Sequence, residues 1–267
     1  MTYLLPYGTR AMLALALLGG LGVAAITPVI PDLVRRAAPA GRTPPPVTPG
    51  LIALAVVQAV VVVAASAWIG ARLGPSLGLE SRWLATPAAA GWAPGRGGGA
   101  APGAPLALGL ILGGVGGLVA FWAAPALVAY LRALPLRTRL LYGGLTEEVV
   151  MRWGVMTGVT WLLARAIGTS AAGLRTGRVP SGVVLVAILV TNALFAAGHL
   201  PLLRATRTPA PGRAVGVIFV ASLPWGWLFW RGGIESAMVA HLSFHAAVEG
   251  LARRAERATR TGPPSTG

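Results

Sequence analysis

"LTEEVVMRWG", residues 145–154, places two adjacent glutamates and an arginine in a run that is otherwise largely apolar. The 267-residue chain has only 7 acidic residues in all, so setting Glu147 beside Glu148 carries information. In water the pair would be unremarkable. In a membrane, each carboxylate costs roughly 2.5–3.5 kcal/mol at the bilayer centre and has to face protein or a wet cavity. The rest of the composition decides which solvent surrounds the run.

Hydrophobic residues make up 55% of the chain and charged ones 11%, and the mean hydropathy is +0.71. Ordinary soluble domains carry about 25% charged residues. So small a charged fraction cannot cover a soluble protein of this size, whereas a bilayer needs no such shell. Apolar runs long enough to span, about 18 residues or more, recur along the chain. They fall near 11–30, 51–73, 105–131, 140–167, 183–203, 214–231 and 234–251. The fold class is therefore all-α, a polytopic transmembrane helix bundle of about seven to eight spans, the eighth a short piece near 83–95. The first run, "AMLALALLGGLGVAAITPVI" (11–30), is too long for a signal-peptide core and reads as a retained helix.

Three regions follow. Residues 1–139 hold N-terminal spans joined by Pro/Gly-rich loops such as "PAGRTPPPVTPG" (39–50) and "APGRGGGAAPGAP" (93–105). Residues 140–251 hold the spans that carry polar side chains. Residues 252–267 form a basic tail, expected to be flexible.

The net charge is +15, and all 22 basic residues are arginine. They are scattered between apolar runs rather than gathered into a stripe, which argues against nucleic-acid binding and for anionic headgroups as the partners. With seven spans, the loops 31–50, 132–139 and 204–213 and the tail share one side and hold 13 arginines against 8 on the other. The positive-inside tendency places that side, and the C-terminus, in the cytoplasm. The absence of cysteine excludes a disulfide framework and a thiol nucleophile.

On a helix, Glu148 and Arg152 are four apart and share a face, where an ion pair lowers the cost of both charges. Glu147 points about 100° away and is left for other work. The only three histidines, His199, His241 and His245, also lie in or at the ends of spans. His241 and His245, at i and i+4, project from one face, a spacing that suits a shared water or metal ion. Taken singly, these features have plainer readings. A buried Glu–Arg pair can simply fix helix register, and a single histidine at a span end is commonly interfacial. Their concentration in the second half of the chain points instead to one polar pocket inside the bundle. The Trp-rich 225–230, "WGWLFW", reads first as packing at the membrane interface and second as a border of the substrate path.

Three motifs in order, "EEVVMR" (147–152), "FAAGH" (195–199) and "HLSFH" (241–245), resemble those of the CAAX-protease and bacteriocin-processing family, also called CPBP or Abi, of intramembrane metallopeptidases. The resemblance covers roughly residues 140–251. His245 stands where the family usually has Asn or Asp. The resemblance implies an intramembrane endopeptidase that cleaves a membrane-associated protein or peptide. In that reading Glu147 is the general base and holds a water with His199. His241 and His245 polarise the scissile carbonyl, while Glu148, Arg152 and Phe195 support the site. A divalent metal, Zn2+, held by Glu147, His199, His241 and His245 is compatible with the same set. The expected partners are membrane lipids and the substrate, with no nucleic acid. The expected location is the bacterial inner or plasma membrane. Two other classes fit the buried polar residues. One is a non-catalytic scaffold or immunity protein of the same fold. The other is a proton-coupled transporter, for which the sequence offers no inverted repeat.

Overall fold

The structure, a computed structural model, describes residues 5–38, 46–84, 103–170, 173 and 179–260. Among these the regular elements are all helical. α1 (Tyr7–Ile26) runs through a 3-10 turn into α2 (Ile30–Ala37), followed by α3 (Pro49–Leu77), α4 (Ala104–Ala123) and α5 (Pro125–Arg132). α6 (136–166) starts and ends as α-helix, but from Arg139 to Glu147 and from Val149 to Met156 it is wound as the wider π-helix. Then come α7 (Ser181–Ala205), α8 (Pro211–Gly232) and α9 (Ile234–Arg260).

The helical bundle bears out the fold class, with fewer apolar spans than the seven to eight expected. Five helical segments are long and apolar enough to cross a membrane, namely 7–36, α3, α4, α7 and α8. The two expected spans that drop out are those within α6 and α9. Both are diluted by charge: α6 carries Arg137, Arg139, Glu147, Glu148 and Arg152, and α9 carries Glu235, Glu249 and a basic last turn. They tolerate this because their neighbours cover them. α6 packs on α1, α3, α7, α8 and α9, while α9 packs on α4 and α8. The shorter piece expected near 83–95 lies, apart from 83–84, outside the described residues, as do most of both Pro/Gly-rich loops. The basic tail does not begin as coil, since α9 continues to Arg260; residues 261–267 lie outside the described set.

Small residues let the buried helices approach closely, as packing in lipid requires. On α4, Gly109, Gly113 and Gly117 lie four apart and face α9. A Cβ at Gly109 would come within 2.7 Å of the Ser236 carbonyl oxygen, and one at Gly117 within 2.7 Å of the Phe244 carbonyl oxygen. At Gly113 it would overlap the Ala240 carbonyl. Elsewhere, Trp153 of α6 donates from its indole N–H to the Ala67 carbonyl of α3 at 3.0 Å, and Thr146 donates to the Gly19 carbonyl of α1 at 2.7 Å.

Each end of the bundle is tied by a carboxylate. At one end, Glu235 at the start of α9 accepts from the Ser81 hydroxyl and from the backbone N–H groups of Arg82 and Trp83, which fixes the chain that follows α3. At the other, Glu249 accepts from Arg139 at 2.6 Å, Arg253 at 2.6 Å and Arg132 at 3.4 Å. This second end collects 30–37, 132–139, 204–208 and the last turns of α9, the arginine-rich segments that the sequence assigns to one side.

Candidate active site

The site is assembled by three helices that meet inside the bundle. α6 supplies Glu147, Glu148 and Arg152, α7 supplies Phe195 and His199, and α9 supplies His241 and His245. π-helical winding is uncommon and recurs at functional sites. Here it carries both glutamates and the arginine past the faces of α7 and α9.

The adjacent glutamates are divided in environment. Glu148 is completely buried, as is Arg152, and they pair at 3.4 Å between Oε2 and Nε. The other Glu148 oxygen accepts a 2.8 Å hydrogen bond from His241 Nδ1. A carboxylate can only accept, so Nδ1 carries the proton of that bond and Nε2 is the ring nitrogen left for other contacts. That nitrogen lies 4.0 Å from Glu147 Oε2. Glu147 is not sealed in: its side chain is 22% exposed and borders a cavity of about 380 Å³. His199, His241, His245 and Phe195 border the same cavity.

His199 repeats the logic of His241. Its Nδ1 lies 2.8 Å from the Phe195 carbonyl oxygen, so Nδ1–H donates and Nε2 is left free. The Phe195 ring meets the His199 ring edge-on at 4.8 Å and also receives the Arg152 guanidinium at 5.3 Å. The ring planes of His241 and His245 stack at 5.0 Å, as i,i+4 neighbours on one face can. His245 presses against the backbone of Gly143 on α6. A Cβ at Gly143 would lie 2.8 Å from His245 Nε2 and 3.4 Å from His241 Nε2, so only glycine allows this approach.

All the residues read from the sequence therefore border or support one cavity, and Glu147 and Glu148 divide as the helical geometry indicates. The metal expectation fares differently. Glutamate and histidine are ligands zinc accepts, yet no three His, Asp or Glu side chains among the described residues converge as a metal-binding group. As arranged, Glu147, His199, His241 and His245 do not fit a resident Zn2+.

Two contributors, Asn192 and Arg139, escape the sequence reading, and a third, Trp225, follows its second reading rather than its first. Trp225 is not an interfacial tryptophan: it is 3% exposed and stacks on His241 with ring centroids 4.0 Å apart. Asn192, fully buried, accepts from Arg152 Nη2 at 3.1 Å. Its signal was a lone amide in an apolar run, three residues before Phe195 and seven before His199, hence on their face. Arg139 borders the cavity and is held by Glu249, more than a hundred residues away in the chain, which no local pattern encodes.

Residues 129–247 match the family model described as Type II CAAX prenyl endopeptidase Rce1-like. No curated protein and no solved structure gives a significant match. The matched segment opens in α5, closes in α9 and contains Glu147, Glu148, Arg152, Phe195, His199, His241 and His245, with Glu249 just beyond it. The family is one of endopeptidases, which supports peptidase chemistry. Within a multi-pass helical membrane bundle, residues 129–247 are thus similar to the Rce1-like type II CAAX prenyl endopeptidase family, in keeping with the family that the three motifs resemble.

Proposed function

We propose that the chain is an intramembrane endopeptidase that hydrolyses a peptide bond of a membrane-associated protein or peptide, using a water activated by Glu147. The observation that carries this reading is the separation of the two glutamates. Glu148 is spent on Arg152 and His241, whereas Glu147 stands free in the cavity 4.0 Å from the open nitrogen of His241.

Glu147 and His199 border the same cavity, which supports a water shared between them. A water between Glu147 and His199 gives its proton to the Glu147 carboxylate as its oxygen attacks the scissile carbonyl. His199 Nε2 orients that water by accepting its second hydrogen. His241, in the form that has taken a proton from solvent on Nε2 and keeps it throughout, donates a hydrogen bond to the oxygen that gains negative charge, and the Glu148 carboxylate on its other nitrogen balances the imidazolium. His245, stacked beside it, supplies a further polar contact. Glu147 then returns its proton to the leaving amine. A positioned acid–base group is typically worth about 10²–10⁴ in rate, and one oxyanion donor about 10²–10³. No step is routed through a metal.

A carboxylate left open in a cavity disfavours a purely structural scaffold; it would also suit a proton-coupled transporter, which cleavage of a peptide separates from the peptidase. The experiment uses the full chain in lipid nanodiscs with lipid-anchored, internally quenched peptides. Wild-type protein is expected to cleave. Glu147→Ala, His199→Ala and His241→Ala are expected to fold and to lose at least about 10²-fold in rate. Equal cleavage by all three variants would remove the peptidase reading.

A further inference from the structure

A second hollow, of about 560 Å³, adjoins the catalytic cavity, with Leu33, Tyr130 and Leu134 in the walls of both. Its floor is the Ala126, Ala129 and Ala133 face of α5, spaced i, i+3 and i+7, which leaves room for an extended chain. Its rim is made by Arg36 at the end of α2 and by Arg207 just past α7. Both are exposed, neither side chain forms an ion pair among the described residues, and no carboxylate lines the hollow.

Arg207 is held unusually. Its φ is 54°, in the left-handed region, with Arg207 N–H on the Arg204 carbonyl at 3.0 Å and Thr208 N–H on the Leu203 carbonyl at 2.9 Å. Glycine is the usual residue at such a helix end. Gly78, Gly168 and Gly233 supply the other left-handed positions that follow helices here, with φ of 70°, 80° and 86°. Ala210, three residues on, shares the positive φ at 48°, but of the two only Arg207 puts a side chain in the wall of the hollow.

We infer that this hollow is the approach channel for the peptide substrate, and that Arg36 and Arg207 select a peptide with a carboxylate side chain beside the segment to be cleaved. The inference rests on the peptidase reading. A peptide is favoured over a lipid headgroup because the hollow shares the wall formed by Leu33, Tyr130 and Leu134 with the cavity that Glu147 borders. The rim lies at the arginine-rich end of the bundle, so the peptide approaches from that aqueous side. Leu33, Arg36, Ala38 and Ala126 lie outside the 129–247 match.

The test measures binding of paired lipid-anchored fluorescent peptides, one with Glu and one with Gln at the flanking positions, to full-length Glu147→Gln protein in nanodiscs. Cleavage of the same pair by protein with an intact Glu147 is measured in parallel. Two exposed charge contacts imply about a fivefold preference for the Glu peptide, shrinking with salt. Arg36→Gln together with Arg207→Gly is expected to bring it below about twofold, while the Gln peptide is still cleaved at the wild-type rate. Arg207→Gly also relieves the backbone, so its melting temperature is expected to hold or rise. An unchanged preference in the double variant, or none in the starting protein, overturns the channel. Equal loss of affinity for both peptides, seen only with anionic phospholipid present, identifies a headgroup site instead and also overturns it. If protein with an intact Glu147 cleaves no peptide at all, the peptidase reading falls and takes the channel with it. An unchanged preference beside normal cleavage removes the channel alone.

Discussion

At the scale of single residues, two neighbouring carboxylates have been given opposite tasks by what surrounds them. Glu148 has no solvent and two partners, Arg152 and His241, whereas Glu147 has an open face. Buried ion pairs gain little overall, yet breaking one leaves a stranded charge. Arg152→Gln is therefore expected to cost about 3–5 kcal/mol, read as a lowered unfolding midpoint in detergent. A melting temperature unchanged from wild type would show that Glu148 does not depend on Arg152. Gly143→Ala tests the α6–α9 contact differently. Its new Cβ meets His245 Nε2 at 2.8 Å and has to push the ring aside. The expected result is a rate lowered at least tenfold with little loss of secondary structure, measured by peptide cleavage beside circular dichroism. Unaltered cleavage would mean that the position of His245 is unimportant.

At the scale of the element, what was legible in the sequence was whatever a helix repeats locally. Helical spacing was enough to separate Glu147 from Glu148, to join Glu148 to Arg152 and to pair His241 with His245. Contacts between distant helices were not legible: Trp225 on His241, Asn192 on Arg152 and Arg139 on Glu249 each depend on packing. The tryptophan cluster misled because composition alone does not say whether an aromatic residue faces headgroups or core. Hydropathy also misplaced the count of apolar spans, since α6 and α9 are polar helices sheltered by apolar ones. The glycine stripe of α4 explains how that shelter closes. Gly113→Leu is expected to force α4 away from Ala240 and Ser243, lowering thermal stability and, through α9, the cleavage rate. Stability equal to wild type would show that the close approach is dispensable. Past the membrane-facing part of α9, the Arg132 guanidinium at 2.6 Å holds the Glu256 carboxyl below its usual range. The sign follows directly: the pair helps while Glu256 is charged, above the ordinary glutamate value of about 4.3, and the help is lost as pH falls through the lower folded value. Glu256→Gln should flatten that acid limb of a stability-versus-pH curve, and an identical limb in the variant would contradict it.

At the scale of the whole molecule, the same end of the bundle carries the arginine-rich segments, the Glu249 cluster and the mouth of the second hollow. Because the chain has no cysteine, single cysteines can report its orientation without background. Thr259→Cys is expected to react with a membrane-impermeant maleimide from the cytoplasmic side and Ser181→Cys from the opposite side. The reverse pattern would contradict the assignment by arginine count. Chelation is a further test of the whole site. Since the donors do not gather into a ligand set, exhaustive treatment with a strong chelator is expected to leave cleavage unchanged, whereas loss restored by Zn2+ would place a metal in the mechanism.

The most direct measurement is the single-turnover cleavage rate of Glu147→Gln against wild type on one lipid-anchored peptide, with unfolding midpoints taken on the same samples. Glutamine keeps the size of the side chain and removes its ability to accept a proton. The expected result is a rate lower by about 10²–10⁴ with matching midpoints. A Glu147→Gln protein that folds like wild type and cleaves at a comparable rate would contradict the claim that this carboxylate activates the water.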